Sequence, residues 1–429
     1  MARYGDKPEI MAIGDSLYQG VRSLSITSDR ARCSPPALIA SALGKSMSLP
    51  LMPRPILFDL EALLRSGGLV DLVLTLRQCV LQNLAAWRVN GAWSTEEAFD
   101  NLALGGAAIS NLWADNYTLY QQQIEPLRAA IDANTGSTSE LLGDIAKLWY
   151  ALNACFVLNP LQGNGPQAGK SPIDQVADRK PDILFVNIGS NEGLFAAGFS
   201  GQYDAAAQQS IDSIPPKMQE LAERLKAAIP PTCKVYVNSL IRPRFVPNLV
   251  PLKDAQLWPP PGDGYFASYS PNIGDNTISM DAATMAAFDQ QILKVNNQSR
   301  DNMAAILGDQ LTYVDIYAAC NAFDGKDYAN GGIAIPSAAI TLKNTPLEIF
   351  FGHFNRGGFS GLDNMHPTVP GYRALASAVL EAMGMSTTGL ITNDQAYAAD
   401  TLLQNLPDSY PVFTVEIALL GSLGLFSGV

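Results

Sequence analysis

The feature that most constrains the fold is a set of apolar runs, each closing in a turn tip. They are "EIMAIGDS" (Glu9 to Ser16), "DNLALGGA" (Asp100 to Ala107), "DILFVNIGS" (Asp182 to Ser190), "CKVYVNSLI" (Cys233 to Ile241) and "LTYVDIY" (Leu311 to Tyr317). Continuous rather than alternating hydrophobicity marks strands covered on both faces, as in a parallel sheet. Helical patterns lie between and after the runs, clearest from Ser213 to Ile229 and from Val369 to Met383. The first carries Pro215 and Pro216 near its start, where proline is tolerated, then Met218, Leu221, Leu225 and Ile229 at helical spacing. Strand alternating with helix predicts an α/β sandwich.

In open sheets of this kind ligands sit beyond the carboxyl ends of the strands. Three runs end there in polar, glycine-containing tips: Gly14-Asp15-Ser16, Gly105-Gly106 and Gly189-Ser190-Asn191. Glycine at a strand exit lets backbone approach a ligand closely and leaves N–H groups available to donate. These tips are expected to face one crevice.

Charge and cysteine usage narrow the partners. The net charge is −12 and no Lys/Arg-rich run occurs, which argues against nucleic acid. Cys33, Cys79, Cys155, Cys233 and Cys320 are scattered and odd in number, without C-x-x-C spacing, so buried free thiols are expected rather than disulfides or zinc. No apolar stretch long enough for a signal peptide precedes the first run, so the chain as given reads as cytoplasmic, or as secreted or periplasmic where a leader has been removed. The last segment, "PVFTVEIALLGSLGLFSGV", is apolar but short and interrupted by Glu416, and is expected to pack or lie at an interface rather than span a membrane.

Four blocks in order, "GDSLYQG", "NLALGGA", "IGSNE" and "DNMHP" (Asp363 to Pro367), resemble those of the GDSL/SGNH hydrolase family. The resemblance implies a flavodoxin-like three-layer α/β/α sandwich with a parallel sheet of about five strands plus helical insertions. It also implies esterase, lipase or thioesterase activity through a serine acyl-enzyme. Carried over by position, Ser16 is similar to the family nucleophile, His366 to its base, and Asp363 to the acid that orients the base. The implied oxyanion hole uses the backbone N–H groups of Ser16 and Gly106 with the side-chain amide of Asn191, Gly105 remaining an alternative to Gly106. One departure is that Glu192 follows Asn191, where the family usually has aspartate.

The chemistry asks for these residue types on its own account. A serine hydroxyl is a weak nucleophile and needs an imidazole within hydrogen-bond reach, held in the right tautomer by a carboxylate. The chain has two histidines, His353 and His366. His366 has Asp363 three residues upstream, so one short loop can present acid and base together; His353 lies among Phe350, Phe351 and Phe354 and reads as a packed or pocket-lining ring. Activity should then rise as His366 loses its proton. No cofactor or metal is required.

Plainer readings stand beside each of these. Ser16 could simply cap a helix, Asn191 occupy a turn, Asp363 be a solvated loop charge, and Gly106 serve close packing. "NGPQAGKS" (Asn164 to Ser171) looks like the end of a P-loop, but Asn164 takes the place of the first glycine and Pro172 follows directly, so a surface loop is expected. G-x-S-x-G and H-E-x-x-H motifs are absent.

The reading of the domains is an SGNH-type α/β domain over 1–385 with insertions at about 21–100, 107–180 and 243–310, and a C-terminal extension over 386–429. The apolar insertions suggest a pocket for apolar acyl or aryl esters, lipids among them; equally, they could only enlarge the core. Two other functions fit the same residues: an acyltransferase using the same triad, and a non-catalytic binding module. Oligomeric state is open.

Overall fold

The computed structural model describes residues 3–65, 72–88, 93–134, 137–163, 165–251, 264–271, 277–324, 326, 331–346 and 357–409. His353 and the apolar segment from Pro411 lie outside the described residues.

Four of the five apolar runs form one parallel sheet: β1 (Ile10–Gly14), β2 (Ile183–Asn187), β3 (Lys234–Asn238) and β4 (Leu311–Val314), in that spatial order. The register runs from Ile10 opposite Ile183 to Gly14 opposite Asn187, with β3 and β4 following in parallel. The fifth run, Asp100 to Ala107, departs from the expected strand. It lies extended along the free edge of β1, with Ala12 N–H donating to Asp100 O and the Leu102 and Leu104 N–H groups donating to Ala12 O and Gly14 O. Only one parallel bridge forms, Asn101 opposite Ala12, before the chain turns at Gly105-Gly106, so it remains a bridged edge segment; its place gives the 2-1-3-4-5 order of flavodoxin-like sheets.

Helices cover both faces. Pro172–Arg179, Ile214–Ala228 and the long Ala282–Leu307 pack together on one side, and Pro35–Ala42 packs with Val369–Ala382. The predicted helices at 213–229 and 369–383 are thus present with their apolar stripes buried, Met218, Leu221 and Leu225 among them. In the long segments between blocks, Leu72–Trp87 and the hairpin of Tyr117–Ala133 with Thr138–Leu158 add to the core. Leu76, Val80, Leu84 and Trp87 are buried there, with Trp87 edge-on to Phe156. Thr138–Leu158 is the one helix among the described residues long and apolar enough to cross a membrane, and most of it is buried inside the protein.

The P-loop-like stretch is held in place by ordinary packing: Ser171 caps the helix that Pro172 opens, reciprocally with Asp174, and Gln167 is buried with its amide on Glu97 O. A capping box accounts for Ser171, and Lys170 pairs with Asp178 at 3.4 Å. The five cysteines are unpaired; Cys155, Cys233 and Cys320 are buried, while Cys33 and Cys79 are half-buried.

Candidate active site

The strand ends are joined by polar side chains beneath the candidate serine. Asn238 donates to Asn187 Oδ1 at 2.9 Å, and Asn187 donates to Asp15 Oδ1 at 2.8 Å, a ladder across the carboxyl ends of β3, β2 and β1. Gly14 is obligatory at the exit of β1, since a Cβ there would stand 2.1 Å from Asn187 O. The chain then enters the short helix Ser16–Gln19, and the residue that caps it is Asp15, whose Oδ1 accepts from Leu17 N–H. Ser16 is therefore released from capping, and its hydroxyl faces elsewhere.

It faces His366. The His366 Nε2 to Ser16 Oγ distance is 2.8 Å, and His366 Nδ1 to Asp363 Oδ2 is 2.7 Å. Asp363 accepts on Oδ2 and so fixes the Nδ1–H tautomer, which leaves Nε2 with a lone pair toward the serine hydroxyl. Asp363 is fully buried and accepts four hydrogen bonds, the others from Met365 N–H, His366 N–H and Leu24 N–H. Burial pushes its carboxyl up, but the charge and hydrogen bond of the His366 ring, with the two N–H donors of its own loop, outweigh burial and hold it below the usual value. The Phe195 ring lies 5.7 Å from that of His366.

Asp15 is in the opposite condition. Complete burial pushes its carboxyl up to about 7, against the pull of Leu17 N–H, Asn187 and the nearby His366 charge. Its Oδ2 is buried with no hydrogen-bond partner among the described residues, as a carboxyl holding a proton tolerates better than a carboxylate.

The three expected oxyanion donors leave from neighbouring chain ends. Gly105 N–H is consumed by Gln19 Oε1 at 2.8 Å, so of the two adjacent glycines Gly106 keeps its N–H available; its φ of +87° is one that glycine adopts freely. The Ser16 and Gly106 N–H groups have no protein acceptor among the described residues. Asn191 donates one amide hydrogen to Ala107 O at 2.8 Å, tying its tip to the glycine turn and leaving the second hydrogen to donate. A serine hydroxyl, an oriented imidazole and free donors on adjacent tips form an arrangement suited to acyl transfer.

Sequence reasoning did not find the side chains that brace these tips. Glu192 accepts from Ile109 N–H at 2.9 Å with one oxygen and from Lys217 Nζ at 2.7 Å with the other, which clamps the glycine turn to the Asn191 tip. Gln19 and Asn153 exchange two hydrogen bonds while Gln19 holds Gly105. Glu192 at least occupies the position where the block departs from aspartate; Asn153, in the middle of an apolar helix, carries no signal of its own.

The profile of the GDSL-like Lipase/Acylhydrolase family matches residues 10–379. The chain belongs to that family and is an ester hydrolase. Among solved structures, an acetylxylan esterase from Geobacillus stearothermophilus shares 13% identity at a TM-score of 0.30, over 90% of this chain and 98% of that one. No curated protein matches the chain at a significant level.

Proposed function

We propose that Ser16 attacks the ester carbonyl to form an acyl-enzyme, with His366 as general base and then general acid, and Asp363 as its orienting carboxylate. The supporting observation is the unbroken Asp363–His366–Ser16 hydrogen-bond chain with 2.7 and 2.8 Å links. His366 Nε2 takes the Ser16 proton, the tetrahedral oxyanion is met by the N–H groups of Ser16 and Gly106 and the Asn191 amide, and His366 returns the proton to the departing alkoxide. Water then repeats the sequence on the acyl-enzyme. The preferred substrates on this reading are apolar acyl or aryl esters; the Phe195 ring 5.7 Å from that of His366 supports it. The inserted helices do not add to that support, because Leu76, Val80, Leu84 and Trp87 are turned into the core.

The test is hydrolysis of p-nitrophenyl esters from acetyl to long-chain by the wild type and by Ser16→Ala, each shown to be folded by a cooperative melt. Loss of about 10³-fold or more in kcat for Ser16→Ala at every chain length is expected. Comparable turnover by the variant would rule out the acyl-enzyme, and acetyl esters far outpacing medium chains at matched concentration would rule out the apolar preference.

A further inference from the structure

The turn after the Ser16 helix is unusual in its backbone. Arg22 and Ser25 exchange N–H···O bonds of 3.0 Å each way, and the two residues between them, Ser23 and Leu24, have φ of +50° and +58°. Two-residue turns with both central φ values positive are ordinarily built from Asn and Gly; a leucine there is strained and must be held by its surroundings. The strain presents Leu24 N–H to Asp363 Oδ2 at 2.8 Å, the same oxygen that holds His366 Nδ1. Ser23 Oγ accepts from Leu362 N–H at 3.0 Å, one residue before Asp363. The two loops meet so closely that a Cβ on Gly361 would stand 2.7 Å from Ser23 Oγ and from Arg22 Cγ.

What holds the turn is a buried charge cluster drawn from distant parts of the chain. Arg22 makes a two-pronged contact with Glu61, Nε and Nη2 each at 2.8 Å from a carboxylate oxygen, and its Nη1 reaches Asp400 at 2.8 Å. Ser23 Oγ donates to Glu61 at 2.7 Å, and Arg30 adds a second guanidinium at 2.8 Å from Glu61. Asp400 in turn accepts from Val369 N–H at 2.8 Å, at the start of the helix that follows the His366 loop. Arg22, Glu61 and Asp400 are almost fully buried. Burial alone would push the Glu61 carboxyl up; the two arginines outweigh it and hold it at about 2.

We propose that Glu61 and Asp400 are positioning residues for the acid–base pair, acting through Arg22 and the Ser23–Leu24 turn to fix Asp363 against His366. This rests on the proposed roles of Ser16, His366 and Asp363. The segment between the first two blocks and the residues beyond the last block then serve the same end, since each contributes one carboxylate to the same guanidinium. A misplacement of the Asp363 carboxylate tilts the imidazole and slows proton transfer, while the approach of the ester to Ser16 is little affected.

The experiment compares Glu61→Gln and Ser23→Ala with the wild type and Ser16→Ala on one p-nitrophenyl ester, per molecule of folded enzyme, at a temperature well below each melt. Glu61→Gln is expected to lower kcat about 10-fold or more with KM within about two-fold, and to move the acidic limb of the kcat/KM profile. Ser23→Ala leaves the charge cluster intact but removes the hydroxyl that joins Glu61 to Leu362 N–H, and is expected to lower kcat severalfold; it decides the matter where Glu61→Gln does not fold. Folded variants with wild-type kcat and an unmoved pH profile would overturn the inference while Ser16→Ala stays inactive. Activity in Ser16→Ala would instead overturn the proposed function beneath it.

Discussion

At the residue scale the contrast between two buried carboxyls next to the serine is informative. Among the described residues Asp363 has four donors and is held ionised; Asp15 has two donors on one oxygen, none on the other, and is pushed up to about 7. The sign of its effect on stability follows from proton counting. An unfolded aspartate releases its proton near pH 3.9, whereas the folded protein keeps it on Asp15 to about pH 7, so between those values the unfolded chain binds fewer protons and stability falls as pH rises. Asp15→Asn keeps an oxygen to cap Leu17 N–H and has no proton to lose. The variant is expected to melt near the wild-type temperature at pH 4 and progressively above it toward pH 8. Melting curves across that range check this; a constant difference at all pH values would show that Asp15 is ionised throughout.

At the scale of elements, the tips matter more than the strands. The φ of +87° at Gly106 and the Tyr150 ring 3.3 Å from the position of a Cβ there mean that Gly106→Ala must shift the turn that aims the N–H. Its kcat is expected to fall about 10²-fold with KM little changed, measured on the same ester series, and its melt to fall by the few degrees that about 1 kcal/mol of backbone strain costs. A fall in stability with unchanged kcat would assign Gly106 to packing alone. The tips and strands were readable because each rests on local pattern: continuous apolar residues in "IMAIG" and "ILFVN", glycine where the backbone turns, and a carboxylate three residues before a histidine. The bracing was not readable. Glu192 with Lys217, Gln19 with Asn153, and Arg22 with Glu61 and Asp400 are pairs formed only by tertiary packing, and nothing in the neighbourhood of either partner announces the other. The edge segment at 100–104 has the composition of a strand, but a single bridge, Asn101 opposite Ala12, forms before the glycine turn. The choice between Gly105 and Gly106 likewise waited on Gln19, a side chain whose glutamine identity has no local meaning.

At the scale of the whole molecule, the candidate site draws together residues from nearly the full described length. The Ser16–His366 hydrogen bond spans 350 positions and the Arg22–Asp400 contact 378. Bringing such distant segments together costs loop-closure entropy before any contact offsets it, and chains of this size fold through populated intermediates. Recovery of ester hydrolysis after dilution from denaturant is therefore expected to lag recovery of helical circular dichroism, and simultaneous return of both signals would refute that order. The histidine and the last carboxylate are also translated long after the serine. On the proposed chemistry, a growing chain carries a nucleophile with no base for most of its synthesis, so it cannot attack acyl compounds around the ribosome. Hydrolysis begins only when the two ends of the described chain have met, which makes the enzyme's own turnover a sign that it has finished folding.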